Sequence, residues 1–353
     1  MPLFSVLIAV YNAEPYLRTC LDSLLTQTLT DFEVHCVDDA STDDSLHTLR
    51  QYAERDTRFH VYSAACNRGQ ACARNVALQW ANGQYTVMLD ADDWLAPDAL
   101  QSVYETFSAD DSIDCAVLRL MMAYPDGTIT PYPVRTTKTR LTGEEAFELS
   151  LDWRLHGLYA LRTSIHKSLP YDETCRLYSD DNSSRLHYLH SRTVALCQGQ
   201  YFYRQHPESA THAVSIRHFD HLIANQSLKR LLHEFATDHD AQGEISRRFP
   251  GYSFCRCSHT PSPAIHWRRV LSLWEGIRWR NLVAHYRYFC QHQAAFNPDD
   301  QAQIRRLLCD THASIEFWRL PWRLCLRPAF FPIAPYNLFA RWQNLCMRLH
   351  RKH

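Results

Sequence analysis

Three carboxylates fall within four residues in Leu89-Asp90-Ala91-Asp92-Asp93-Trp94. Carboxylates this close repel one another and hold their protons more tightly unless a cation lies among them. Asp90 and Asp92 are two residues apart, so an extended backbone projects both to one side. Hard oxygen ligands of this kind suit Mg²⁺ or Mn²⁺, which one or two carboxylates hold while substrate phosphates supply further ligands. The same spacing also suits a solvated acidic turn before a helix, with Asp93 or a neighbour as its cap. Spacing alone leaves both readings open. What precedes the acids favours the first. Residues 85–89 are a short apolar run that reads as a buried strand, and α/β sheets bind ligands beyond the carboxyl ends of their strands.

The elements that would position these acids begin at the N-terminus. Residues 4–10 are apolar and rich in β-branched side chains, as in a strand covered on both faces. Asn12 or a neighbour can cap the helix that follows, and Pro15 suits its first turn. Leu17, Cys20, Leu21, Leu24 and Leu25 then recur at helical spacing. Residues 32–37 form a second strand, and Ser41 or Thr42 can cap a helix to about Arg55. Residues 59–62 form a third strand. Asn67-Arg68-Gly69-Gln70 turns into a helix over residues 71–81, and after strand 85–89 another helix starts near Pro97. The order β-α-β-α-β-α-β with short connections predicts a parallel sheet with right-handed crossovers. Tyr11, Asn12 and Glu14, then Asp38 and Asp39, then Asn67 and Arg74, then Asp90 and Asp92 should open onto one rim of it.

Further on, residues 113–120 read as a strand and Pro125-Asp126-Gly127-Thr128 as a hairpin turn. Thr142-x-x-Glu145 is a capping box. Residues 158–161 form a short strand. After the segment 177–182 a helix runs through Leu186 and Leu189, and residues 194–196 and 201–204 read as two more strands. Beyond residue 212 the pattern turns helical, with Leu222, Ile223, Leu228, Leu231 and Leu232, and resumes over residues 270–290. The expected organisation is an α/β domain, 1–212, and a helical region, 213–353. Residues 317–353 contain no acidic residue and mix arginine with tryptophan and phenylalanine. That composition suits peripheral contact with an anionic membrane, and equally a docked helical cap with solvated arginines.

Bulk properties narrow the class. With 353 residues and 46% hydrophobic content the chain can bury a sizeable core, which argues against disorder. A net charge of -1 argues against a protein-wide field for nucleic acid. Thirteen scattered cysteines, with a strand starting at Phe4 and no leader before it, read as reduced thiols of a cytoplasmic protein. Cys255, Cys257 and His259 could ligate zinc but lack a second clear ligand pair. No apolar run reaches the roughly 18 residues of a spanning helix. With nine glycines and no Gly-x-Gly-x-x-Gly or Walker motif, dinucleotide and P-loop binding are poorly supported.

Four segments, taken together and in order, resemble the successive signatures of glycosyltransferase family 2. They are Ser5-Val6-Leu7-Ile8-Ala9-Val10-Tyr11-Asn12-Ala13-Glu14, Val37-Asp38-Asp39-Ala40-Ser41-Thr42-Asp43, Asn67-Arg68-Gly69 through Ala73-Arg74-Asn75, and Leu89-Asp90-Ala91-Asp92-Asp93. The resemblance spans roughly the first 110 residues, with weaker matches to about residue 212. It implies an inverting enzyme of the GT-A fold, often dependent on Mn²⁺ or Mg²⁺. It implies that Ala9, Tyr11, Glu14 and Asp39 hold a nucleotide's base and ribose, with Asp39 accepting from a uracil imide. It sets Asn67, Arg74, Asp90 and Ala91 beside the donor, and Asp92 and His206 at the metal or diphosphate. Asp180-Asp181 stands where the family carries Glu-Asp, which makes Asp181 the expected general base.

The function implied is transfer of a sugar from a UDP-sugar to a hydroxyl of a growing glycan or glycolipid, such as lipopolysaccharide or capsule, at the inner face of a membrane. Two other classes bind the same ligands. A sugar nucleotidyltransferase would release pyrophosphate from UTP, but its glycine-rich N-terminal loop is absent. A non-catalytic nucleotide-sugar or glycan-binding protein would need no base at Asp181.

Overall fold

The computed structural model describes residues 1–174, 178–205, 214–240 and 265–320. The expectations for His206, for Cys255, Cys257 and His259, and for most of the basic tail lie outside them. The chain divides into two compact units. One is Met1–His212 with Phe235–His266, and the other is Ala213–Glu234 with Trp267–His353.

The first unit is built on one mixed sheet. Its strands are β1 (Phe4–Val10), β2 (Phe32–Asp38), β3 (Phe59–Ser63), β4 (Tyr85–Met88), β5 (Trp94–Leu95), β6 (Ile113–Ala123), β7 (Ile129–Pro131), β8 (Arg140–Thr142), β9 (Tyr159–Arg162) and β10 (Thr193–Arg204). Their order is β3-β2-β1-β4-β9-β6-β10-β5, with β7 beside β6 and β8 beside β10. Strands β1 to β4 pair in parallel, as the alternating pattern predicts. The continuous apolar run of β1 follows from burial on both faces. Val6, Ile8 and Val10 pack with Leu17, Leu21 and Leu24 of helix α1 (Glu14–Leu25), while Leu7 joins a second cluster with Ala73, Ala77 and Leu78.

Three local expectations are corrected. Asn12 caps nothing on its own helix. It sits at φ 49°, and α1 begins after Ala13 with no side-chain cap. Ser41 and Thr42 likewise leave the start of α2 (Ser45–Arg55) to Asp44, again without a side-chain cap. The segments read as two strands near 194–196 and 201–204 are one strand, β10, whose register with β6 shifts between Leu196 and Gln200. The turn-like Cys197-Gln198-Gly199 is that irregularity. The capping box at Thr142 and Glu145 forms as predicted and opens α5 (Gly143–Ser150).

Beyond β4 the sheet departs from simple alternation. Strand β9 runs antiparallel between β4 and β6, and β10 runs parallel to β6. The start of β9 therefore lies at the same rim as the ends of β1, β4, β6 and β10. Helices α3 (Gln70–Trp80), α4 (Ala99–Ser108), α6 (Thr163–Ser168) and α7 (Ser179–Leu189) complete the described elements of this unit.

The second unit is helical. It contains a 3-10 turn (Ile216–Phe219), the first part of α8 (Asp220–Asp240), α9 (Trp267–His292) and α10 (Pro298–Ala313). Phe219, Leu222, Trp279, Leu282, Phe289, Ile304 and Leu308 form its core. A buried ionic network crosses it. Lys229 lies 2.9 Å from both Glu275 and Glu316, and Arg278 lies 2.9 Å from Glu275. Among the described residues no helix is long and apolar enough to cross a membrane.

Candidate active site

The side chains that leave their own helices uncapped bind the first two loops together. Ser41 Oγ accepts from the Asn12 amide at 3.0 Å, and Asn12 Oδ1 accepts from the Thr42 amide at 2.8 Å. Ser45 Oγ accepts from the Ala13 amide, and Asp43 accepts from the Glu14 amide. Polar loop side chains that satisfy backbone groups of a neighbouring loop make a rigid floor. Ala9 pairs with Val37 beneath it, and Tyr11 stands 50% exposed at its edge.

Asp39 joins this floor to the third loop. Its amide donates to the Val10 carbonyl at 2.8 Å. Its carboxylate accepts from the amides of Arg68 at 2.9 Å and Gly69 at 2.7 Å. Gly69 adopts φ 94°, a conformation that suits glycine, and immediately precedes α3. Asp39 therefore fixes the turn beside Asn67 and the entry of α3, a structural duty that spacing did not disclose. Each of its oxygens keeps a second lone pair for a ligand donor.

One turn into α3 stands Arg74, 1% exposed. Its Nη2 donates to Asp90 Oδ1 and, at 3.4 Å, to Gln70. Its Nη1 lies 4.0 Å from Asp180, and its guanidinium rests 5.5 Å from the centre of the Tyr171 ring. Nε and Nη1 are buried without hydrogen-bond partners among the described residues. Burial pulls the Arg74 pKa down, but Asp90, Tyr171 and Asp180 outweigh it and hold the group charged.

The acidic loop is anchored by the acid that spacing explained least. Asp93 is fully buried, and its carboxylate accepts from Tyr201 Oη at 2.9 Å and from the Arg204 amide at 2.7 Å. Asp93 is thus a clamp onto β10 and no helix cap. Tyr201 Oη also accepts from the Asp90 amide, and Arg204 Nε donates to the Asp92 carbonyl at 2.8 Å. Asp93→Ala should lower stability by about 3 kcal/mol, since each buried group left unsatisfied costs about 1–3 kcal/mol. A shifted urea midpoint at constant slope would measure it. An unchanged midpoint would mean that the loop holds its form without the clamp.

Arg204, read from the sequence only as the end of strand 201–204, faces this loop. Its guanidinium lies 4.7 Å from the Trp94 ring and 5.2 Å from the Tyr16 ring. Two aromatic faces hold the cation in place beside Asp92. The signal in the sequence was a lone basic residue ending a strand, which cannot show what stacks on it.

Asp180 and Asp181 open α7 and have different surroundings. Asp180, 35% exposed at its side chain, is the one that reaches Arg74. Asp181 is 12% exposed, 4.0 Å from Arg185, and its Oδ2 has no hydrogen-bond partner among the described residues. Burial pushes Asp181 up to about 7. Arg185 opposes that rise and Asp180 adds to it. Burial also raises Asp90, against the pull of Arg74 and with help from Asp92 and Asp180.

Carboxylates therefore outnumber the guanidiniums around Arg74 and Arg204. Hard oxygen donors in excess negative potential fit a divalent cation. Asp90 and Asp92 are the acids of this loop that could hold it, because Asp93 is fully buried and turned onto β10. The described residues supply too few ligands for a closed shell, as expected where substrate phosphates complete it. The three-ligand cluster that does occur, His233, Glu275 and Glu316, lies in the helical unit and already encloses Lys229.

Known proteins resemble the chain in sequence and in fold. The sequence profile described as "Glycosyl transferase family 2" matches residues 5–155. The chain is 31% identical over 222 residues to the uncharacterized glycosyltransferase EpsJ of Bacillus subtilis, covering 60% of this chain and 63% of EpsJ. It is 36% identical over 129 residues to the chondroitin synthase of Pasteurella multocida, covering 36% of this chain and 13% of that enzyme. The chain thus spans less than two thirds of the length of these relatives. Among solved structures, S. aureus TarS residues 1–349 in complex with UDP-GlcNAc superposes with a TM-score of 0.64 at 19% identity, covering 91% of this chain and 82% of TarS. The fold is GT-A, with a helical C-terminal part.

Proposed function

We propose that the chain, whose residues 5–155 match the profile of glycosyl transferase family 2, is an inverting, metal-dependent glycosyltransferase. It transfers a hexosyl or N-acetylhexosaminyl group from a UDP-sugar to a hydroxyl of a growing surface glycan or glycolipid. The observation that carries this reading is the setting of Arg74. One buried guanidinium meets Asp90 at the end of β4 and Asp180 on α7, so the loop suited to a donor and the helix suited to an acceptor share a charge. The similarity to polysaccharide synthases supports the substrate class.

In this reading Ala9, Tyr11, Glu14 and Asp39 receive the uridine, with Asn67 at the same edge. Asp90, Ala91 and Asp92 line the ribose and diphosphate. Asp92 and Asp90 would hold Mn²⁺ or Mg²⁺, which supplies Lewis-acid stabilisation of the departing diphosphate when bound. Arg74 adds a fixed positive field there, and preorganised charge of this kind is often the largest catalytic contribution. Asp181, with a pKa near 7, takes the proton of the acceptor hydroxyl. The hydroxyl oxygen forms a bond to the sugar's anomeric carbon as the bond to the diphosphate breaks, and that electron pair leaves with UDP. Attack from the face opposite UDP inverts the configuration.

The test is UDP release from a panel of UDP-sugars, beginning with UDP-GlcNAc, with Mn²⁺ and with and without candidate acceptors. Release of UDP with an inverted product supports the proposal. Pyrophosphate release from UTP and a sugar 1-phosphate would replace it with the nucleotidyltransferase. Binding without turnover would leave a nucleotide-sugar-binding protein. The basic, aromatic composition of residues 317–353 supports peripheral contact with an anionic membrane. A chain ending at residue 320 should lose sedimentation with anionic vesicles, and unchanged sedimentation would refute that contact.

A further inference from the structure

We propose that Asn75 is a positioning residue that sets α7 and its carboxylates in register with Arg74, acting through a strap of residues 171–173. The inference rests on the transferase reading for its consequence, and on geometry alone for its mechanics.

Asn75 follows Arg74 on α3. Its side-chain amide pairs with a single residue in both directions. Nδ2 donates to the Tyr171 carbonyl at 2.9 Å, and Oδ1 accepts from the Tyr171 amide at 2.8 Å. Asparagine can make both bonds because it carries donor and acceptor on one short arm. Aspartate lacks the donor, glutamine is a methylene longer, and alanine makes neither bond. Nδ2 also donates to Glu173 at 2.7 Å, and Glu173 pairs with Arg68 at 3.5 Å. The strap is therefore held to α3 and its entry turn at three points. Its aromatic ring, Tyr171, is buried against the Arg74 guanidinium.

The next residue of the strap holds α7. The Asp172 amide donates to Ser183 Oγ at 3.2 Å, and Asp172 Oδ2 accepts from Asn182 Nδ2 at 2.9 Å. Asn182 and Ser183 are both buried and Asp172 is half-buried, so these bonds are partly shielded from water. Asp180 precedes Asn182 by two residues and returns to Arg74. The path from Arg74 through Asn75, Tyr171, Asp172 and α7 to Asp180 closes on itself. Without Asn75 the first turn of α7 loses this link, and its placement is left to the buried bonds of His187 and Tyr188 farther along the helix. A displacement of about 1 Å between a catalytic group and its substrate can cost on the order of 10²-fold in rate.

The experiment compares Asn75→Ala with the wild-type full chain by three readouts: UDP titration in Mn²⁺, UDP release from the donor sugar that the wild type turns over, and hydrogen exchange. UDP affinity should stay within twofold, turnover should fall at least tenfold, and amides of residues 179–189 should exchange at least tenfold faster while β1, β2 and β4 keep wild-type rates. Turnover within twofold of wild type overturns the proposal, as does wild-type exchange in α7. An equal loss of UDP affinity and turnover also overturns it, since Asn75 would then serve the donor side. Asp172→Ala, which removes the side-chain bond to Asn182, keeps the backbone bond to Ser183 and spares α3, should shift turnover and α7 exchange in the same direction and carries the test should Asn75→Ala not fold. If the wild type neither binds UDP nor turns over any UDP-sugar, the transferase reading fails, and hydrogen exchange in the two variants decides the strap by itself.

Discussion

Arg74→Met is expected to lower turnover about 10²–10³-fold, the loss typical of removing one preorganised electrostatic contact to a transition state. Arg74 is the cation at which Asp90 and Asp180 meet, and it is buried. Methionine matches much of its length and apolar stem, so the change isolates charge from packing. The variant also leaves Asp90 beside Asp92 and Asp180 with no guanidinium, so the pKa of Asp90 should rise further. Breaking a buried pair costs about 3–5 kcal/mol when the orphaned charge is itself buried. Asp90 is 28% exposed at its side chain, so the lower end applies. Arg74→Lys should recover little, because an ammonium cannot reproduce the planar fork that spans two carboxylates. Turnover within tenfold of wild type in both variants would show that Arg74 is only a structural ion-pair partner.

Asp181→Asn is expected to lower turnover about 10²–10⁴-fold, the range for a general base, with UDP affinity unchanged. The pH dependence makes the test specific. Asp181 has a pKa of about 7 in the folded chain, so wild-type turnover should rise with pH through that value as the carboxylate forms. The asparagine variant should lose that limb. Stability should run the other way. An ordinary carboxyl titrates near 3.9 in an unfolded chain, so the folded state holds the proton more tightly between about pH 4 and pH 7. The contribution of Asp181 is therefore most favourable below that window and declines as pH rises through it. Asparagine stays neutral, so the variant should melt above wild type at pH 8, with the gap narrowing toward pH 5. Asp180→Asn is the necessary companion, because Asp180 is the acid that touches Arg74. Should Asp180→Asn remove the pH limb while Asp181→Asn keeps it, the base is Asp180.

Much of this was legible in the sequence because it depends on short-range periodicity. The apolar run of β1, the helical spacing of Leu17, Leu21 and Leu24, and the capping box at Thr142 each encode an element within one turn or one strand. Alternating strands and helices imply a parallel sheet, and a parallel sheet brings its loops to one rim. The convergence of Asp39, Arg74 and Asp90 needed nothing more.

Partnerships were not legible, because they join residues remote along the chain. Asp93 looks like its neighbours Asp90 and Asp92, and only its bonds to Tyr201 and Arg204 make it a clamp. Asn12, Ser41 and Thr42 have the right chemistry to cap helices, and the nearness of two loops decides that they bind each other instead. The antiparallel insertion of β9 between β4 and β6 leaves no mark in local pattern, since a strand's partners are chosen by the sheet. The gathering of polar residues on one rim was thus expected from the sequence itself, through type and spacing, and the roles of Asp39, Arg74 and Asp181 from the family resemblance. Which acid meets the arginine, and which acid is spent on holding the loop, was decided only by tertiary structure, because burial and charge pairing are properties of neighbours in space.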